Sequence, residues 1–182
     1  MRKIAAGLFI SLDGVVEGPD KWIGPYFNDQ VGGVVGTLMA ANDAMLLGRT
    51  TYEGFAAAFG GQSGGDADYM NSTQKFVVST TLTSADWQNS ALISGTEEEI
   101  VSQIRELKQQ PGGGIGLSGS STLIRWLLMH GLLDQLDLLL FPVVIGSGQR
   151  LFGETGGQQS LALTASESFS TGVVHLSYEL AG

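Results

Sequence analysis

Ala44-Met45-Leu46-Leu47-Gly48-Arg49-Thr50-Thr51-Tyr52-Glu53 decides the fold, together with a second stretch far along the chain, Ile115-Gly116-Leu117-Ser118-Gly119-Ser120-Ser121-Thr122-Leu123. In each, a short apolar run of strand type stops at a glycine, and an amphipathic helical pattern starts within two residues. Glycine lets the backbone turn sharply and approach a ligand closely. The helix start then presents unpaired backbone N–H groups and the positive end of its dipole, which suits phosphate. Hydroxyls crowd both junctions, and the first adds Arg49, whose planar fork matches phosphate geometry. Two anion cradles in one small acidic chain point to a ligand with separated phosphate groups. A dinucleotide is the natural candidate.

The rest of the chain bounds that reading. Its 182 residues predict one domain, 1–182, large enough to bury a core. Eighteen acidic against nine basic residues leave a net charge of −9, with the basic ones scattered. That balance speaks against a nucleic-acid or anionic-membrane surface, so an anionic ligand must rely on local geometry. There is no cysteine, which excludes disulfides, thiolate catalysis and cysteine–zinc sites and fits a cytoplasmic setting. The basic start Met1-Arg2-Lys3-Ile4 precedes an apolar stretch, but Ser11-Leu12-Asp13-Gly14 interrupts it early. Residues Ile4–Ile10 therefore read as a buried first strand and not a leader. No apolar run approaches the length of a membrane span.

Strand and helix patterns alternate through most of the chain, which predicts a mainly parallel sheet covered on both faces. A helix is expected over Asp29–Ala41, strands over Ala44–Leu47, Lys75–Ser79, Ala91–Ile93, Ile115–Ser118 and Leu136–Pro142, and a helix over about Ser120–His130 stopped by Gly131. Thr50-x-x-Glu53 and Thr96-x-x-Glu99 each have the spelling of a capping box. Gly60–Gly65 reads as a flexible connection. Leu161–Phe169 and Val173–Leu180 read as an antiparallel hairpin, with the side carrying Val173, His175, Ser177 and Glu179 turned to solvent.

Each motif has a plain alternative. Gly114-Ile115-Gly116-Leu117-Ser118-Gly119 spells the dinucleotide fingerprint, but its middle residues are the strand itself, so the match is accidental. Gly48-Arg49-Thr50 alone is a strand-to-helix turn. His130 at a helix end and His175 on a terminal strand read as structural, and two isolated histidines make no metal site. Asp13 is ordinarily a turn residue, Asp29 an N-terminal helix carboxylate, and Trp22 a core side chain. What raises the ligand reading is the combination. Two glycine junctions and Ser79-Thr80 all fall at the carboxyl ends of strands, where open α/β sheets bind ligands.

Read in order, these elements resemble the dihydrofolate reductase-like superfamily. They are most similar to the reductase domain of the bifunctional riboflavin-biosynthesis enzyme and its stand-alone bacterial relatives. The matching stretches are Ser11–Gly14, Leu47–Glu53, Val77-Val78-Ser79 and Gly119–Leu123, and above all Gly131–Leu136 followed by Pro142–Gly148. The resemblance implies a three-layer α/β/α fold with a mainly parallel sheet and a C-terminal antiparallel hairpin. It also implies NADPH as hydride donor, a small-molecule pyrimidine- or pterin-like substrate, and a homodimer. It would place Arg49, Ser79 and Thr80 at the adenosine 2′-phosphate, and Gly48, Thr50, Thr51, Gly119, Ser120, Ser121 and Thr122 at the pyrophosphate. Trp22 and Ser118 become candidates for holding substrate, and Asp29 or Asp13 for supplying a proton. The riboflavin reductases often carry an acid before paired glycines at the second junction, where this chain has Ser118-Gly119-Ser120; that departure implies a different substrate. A true dihydrofolate reductase and a nucleotide-binding protein without turnover are the alternatives.

Overall fold

A computed structural model describes residues 1–153 and 157–180. Eight strands form one sheet in the order β4-β3-β2-β5-β1-β6-β8-β7. They are β1 (Ile4–Ser11), β2 (Asn42–Gly48), β3 (Gln74–Val78), β4 (Ser90–Ile93), β5 (Gly114–Leu117), β6 (Gln135–Phe141), β7 (Leu161–Ser168) and β8 (Val174–Leu180). The first six pair in parallel, and β8 runs antiparallel to both β6 and β7. Five helices cover the sheet: α1 (Asp29–Ala40), α2 (Arg49–Phe59), α3 (Asp66–Ser72), α4 (Glu97–Gln109) and α5 (Ser121–Met129). This is the three-layer fold that the resemblance implied.

The alternation of β1 shows why the layers form. Ile4, Ala6, Leu8 and Ile10 face the larger core, packed with Ile100, Ile104 and Leu107 of α4 and Leu123, Ile124 and Leu127 of α5. Phe9 faces the other side, where Val31 of α1 meets Trp22, Leu139 and Phe141. Farther along that side, Leu47 and Val77 pack against Tyr52 of α2 and Met70 of α3. Gly7 lets α1 lie close to the sheet: a Cβ there would stand 3.2 Å from Leu38 Cδ1.

Several local expectations hold and others change. The Thr96–Glu99 capping box forms, with Glu99 N–H donating to Thr96 Oγ1 and Thr96 N–H to the Glu99 carboxylate. Ser120 caps α5 by accepting from Leu123 N–H, and Gly131 follows with φ +62°. Thr50-x-x-Glu53 does not form a capping box. Helix α2 begins two residues earlier than that box requires, with Gly48 as its cap and no side-chain cap, and Glu53 pairs instead with Arg49. The connection after Gly60 holds an unforeseen helix, α3, started by the acidic pair Asp66 and Asp68 favoured by its dipole. The His175 side of the hairpin is not turned to solvent. Val173 and Ser177 are buried, and Asp137 of β6 accepts from Ser177 Oγ and bonds His175 Nε2, which gives these polar side chains partners inside the protein.

The C-terminus of α3 is closed by a buried lysine. Lys75 Nζ donates to the carbonyls of Met70 (2.7 Å) and Thr73 (2.6 Å), with Asn71 at 3.4 Å, and lies 4.3 Å from the centre of the Trp87 ring. Removing it would orphan buried carbonyls, each costing about 1–3 kcal/mol. Lys75→Ala should therefore destabilise the protein by roughly 3 kcal/mol, a fall in melting temperature of about 6–12 °C for a chain of this size. A thermal melt checks this, and a shift under about 2 °C would contradict it.

Candidate active site

The carboxyl ends of β2 and β5 lie side by side, because these strands pair in register from Ala44 opposite Ile115. The helices that follow them part to opposite faces of the sheet, α2 to the Tyr52 side and α5 to the Leu123 side. Such a divergence opens a crevice at the strand ends. Here it is a cleft of about 890 Å³.

Its middle is built by the two junctions. Gly48, Arg49, Thr50 and Thr51 line it from β2–α2, and Ser118, Gly119, Ser120, Ser121 and Thr122 from β5–α5. The junctions touch: a Cβ on Gly48 would stand only 3.1 Å from Ser120 Oγ. Gly119 has φ +142°, a backbone that favours glycine, and a Cβ there would meet Thr51 Oγ1 at an ordinary 3.7 Å. A side chain at 119 is thus opposed first by backbone strain and only second by bulk. Ser121, beside the cap, is buried. Its side-chain oxygen is buried at the start of α5 with no hydrogen-bond partner among the described residues. A buried hydroxyl without a partner is costly unless something fills the place.

One flank of the cleft is Val78, Ser79, Thr80 and Thr81, faced by Glu97 and Ile100 of α4; the other is Leu8, Val16 and Gln149. Leu123 and Trp126 of α5 also line it. Ser79 is engaged in its own turn, its hydroxyl accepting from Thr81 N–H (3.1 Å) and Leu82 N–H (3.0 Å), so Thr80 and Thr81 are the exposed hydroxyls there. Glu97 pairs with His130 Nε2 at 2.8 Å, and the His130 ring lies against Trp126. Glu97, Trp126 and Gln149 carry no motif, and nothing local in the sequence marks them.

Three sequence candidates fall outside this lining. Trp22 is buried, its indole donating to Glu17 O and its ring edge-on to Phe141. Asp29 is an exposed first-turn residue of α1, while Asn28 does the capping by accepting from Val31 N–H. Asp13 is a tie between loops. It accepts from Ser11 Oγ (2.6 Å), Ile145 N–H (3.1 Å) and Gly146 N–H (2.8 Å), and Arg150 Nε donates to its backbone oxygen. The Ser11 hydroxyl and the two amides lower its pKa to about 2. A carboxylate so held accepts hydrogen bonds and does not deliver a proton near neutrality.

Residues 2–175 match the RibD C-terminal domain. The chain belongs to that family. It is 28% identical over 186 residues to the uncharacterized protein YyaP of Bacillus subtilis (strain 168), covering all of this chain and 96% of that one. Among solved structures it is similar to a putative riboflavin biosynthesis protein from Shewanella sp. PV-4 (TM-score 0.77, 22% identity, all of both chains). It also resembles dihydrofolate reductase from Enterococcus faecalis, solved with NADP(H) (TM-score 0.64, 15% identity, 99% of this chain and 97% of that one). These structural likenesses establish the dihydrofolate reductase-like fold. Among the described residues no helix is long and apolar enough to cross a membrane, and no cluster of His, Asp and Glu could hold a metal.

The Asp13 tie predicts a pH effect. The group is depressed in the folded state, so its contribution is present above the ordinary carboxylate value of 3.8 and lost as pH falls towards about 2. Between those values the 142–150 loop should loosen in the parent protein. Asp13→Asn should remove that step from the acid melt and loosen the same amides at neutral pH. Hydrogen exchange at Ile145 and Gly146 measures both; unchanged protection in the variant would contradict the assignment.

Proposed function

We propose that this protein is an NADPH-dependent reductase of a pyrimidine- or pterin-like small molecule, related in chemistry to the riboflavin-pathway pyrimidine reductase. The observation that carries the proposal is the paired junction at the β2 and β5 ends, where both helix starts line one cleft. Two helix N-termini and their hydroxyls suit the pyrophosphate, through the backbone at Gly48–Thr51 and Gly119–Thr122. Bound there, NADPH would supply a hydride. The chain would orient it along the cleft and exclude water from the reacting end.

Arg49 is the candidate for the 2′-phosphate, beside Thr80 and Thr81. Its present partner is Glu53 at 3.3 Å, with both side chains half exposed. An exposed i,i+4 pair is worth about 0.3–0.5 kcal/mol, whereas a charged hydrogen bond to phosphate is worth about 1.5–3 kcal/mol. The guanidinium can therefore leave Glu53 for the ligand. We also propose the homodimer that the family resemblance implies.

NADPH should accordingly bind more tightly than NADH. Arg49→Ala should cost NADPH about 10- to 100-fold in affinity and leave NADH nearly unchanged. Calorimetry with both nucleotides decides the matter, since equal affinities in the parent protein would remove Arg49 from the phosphate. In a separate assay of NADPH oxidation, Asp29→Asn should stay within about threefold of the parent rate, against the 10²–10⁴ that loss of a general acid costs. A larger fall would return Asp29 to the reaction.

A further inference from the structure

Thr122, the second residue of α5, is exposed along the cleft. Among the described residues its hydroxyl bonds one side chain, that of Arg125 one turn further along the helix, with Nη2 standing 3.3 Å from Thr122 Oγ1. A guanidinium has donors and no acceptor, whereas a hydroxyl has one hydrogen and two acceptor lone pairs. The direction of this bond is therefore fixed. Arg125 donates, Thr122 Oγ1 accepts, and the hydroxyl hydrogen is left for another partner.

The guanidinium is itself held in place. Its Nη1 donates to the carbonyls of Leu151 (2.7 Å) and Arg150 (3.2 Å), just after Gln149 of the cleft wall. These partners and Thr122 are uncharged oxygens, so the bonds orient the fork without cancelling its charge. Arg49 differs, because its partner is the Glu53 carboxylate. Half-buried and pinned at both nitrogens, Arg125 would lose its carbonyls by swinging to a ligand, so it acts through the hydroxyl it touches. Donation from a cation polarises the accepting O–H and strengthens it as a donor. The acceptor that such a hydrogen favours is an anion.

We propose that Arg125 is a positioning residue for the dinucleotide's pyrophosphate: it fixes the Thr122 hydroxyl as a donor, and Thr122 gives that hydrogen to a phosphate oxygen. The inference rests on the placement of the cofactor proposed above, and it adds a side-chain donor to the backbone amides assigned there. Ser120 cannot play this part, since its hydroxyl already accepts from Leu123 N–H to cap the helix. The Arg125 charge then lies two hydrogen bonds from the phosphate. Its bonds to Arg150 and Leu151 also join the second junction to the segment that follows Gln149.

The test is a double-mutant cycle on the full chain, read as NADP⁺ affinity by titration calorimetry. Arg125→Gln and Thr122→Val should each weaken NADP⁺ by about fivefold or more, as loss of a hydrogen bond to a charged group requires. In the Thr122→Val background, Arg125→Gln should cost less than about twofold, because the hydroxyl through which it acts is gone. Thr122→Ser keeps that hydroxyl and should bind within about twofold of the parent. An Arg125 needed only to hold Arg150 and Leu151 would cost the same in both backgrounds, and that result overturns the proposal. Parent-like affinity in either Arg125→Gln or Thr122→Val overturns it as well. Should Arg125→Gln fail to fold, Arg125→Lys enters the same cycle and is judged by the same comparisons, since one ammonium lacks the fork that serves the hydroxyl and both carbonyls. Failure of the cofactor reading is distinct, because it shows in the first titration, as no binding of NADP⁺ to the parent protein.

Discussion

The pairing of β2 with β5 is the constraint on which the rest of the structure depends. These strands are far apart in sequence, yet they pair in the middle of the sheet, and the chain leaves them in opposite directions. From β2 it passes through α2 and α3 to β3 on one side; from β5 it passes through α5 to β6 on the other. Because the two helices depart to opposite faces, a crevice opens at their starts, lined by both junctions. The crevice is a product of topology, and it exists before any residue in it is chosen. Gly48 then sets how closely the two junctions approach, with Ser120 Oγ standing where a Cβ would otherwise need room.

That arrangement assigns different work to the two junctions. Ser120 spends its hydroxyl on capping α5, so its contribution to a ligand falls to the backbone, while Ser121 next to it keeps an unpartnered hydroxyl. At the first junction no side chain caps α2, and the first-turn amides are left for a ligand. Ser79 behaves like Ser120, closing its own turn and passing the exposed role to Thr80 and Thr81. At each place one hydroxyl stabilises the turn or helix start, while Thr80, Thr81 and Ser118 stay exposed along the cleft. The division follows from geometry, since a helix or turn start demands one acceptor of its own before any is spared.

How much of this was legible in the sequence depended on the range of the interaction. Both junctions could be read because glycine, hydroxyls and an apolar run act within a few residues, and the Thr96–Glu99 box formed for the same reason. The identical spelling at Thr50–Glu53 failed because Gly48 already started the helix and Arg49 offered Glu53 a nearer charge. Helix α3 was hidden by its short length and the glycines before it. The role of Asp13 could not be read at all, since its amide partners Ile145 and Gly146 lie at the far end of the chain. Likewise Gln149, Trp126 and Glu97 enter the cleft through strand order, which no local pattern encodes. The hairpin face misled because its polar residues were matched by Asp137 on the neighbouring strand.

The acidic charge of the chain is compatible with the anionic cofactor proposed for it. A net charge of −9 sets a repulsive field at long range, but that field is screened over roughly 8–10 Å at ordinary ionic strength. Backbone N–H groups at a helix start act within hydrogen-bond distance, where they are unaffected by the distant acids. The protein therefore does not need a basic surface, and it spreads its cations among structural partners instead. In the proposed reading, the one arginine that lines the cleft, held loosely by Glu53, would select the phosphate at one defined place.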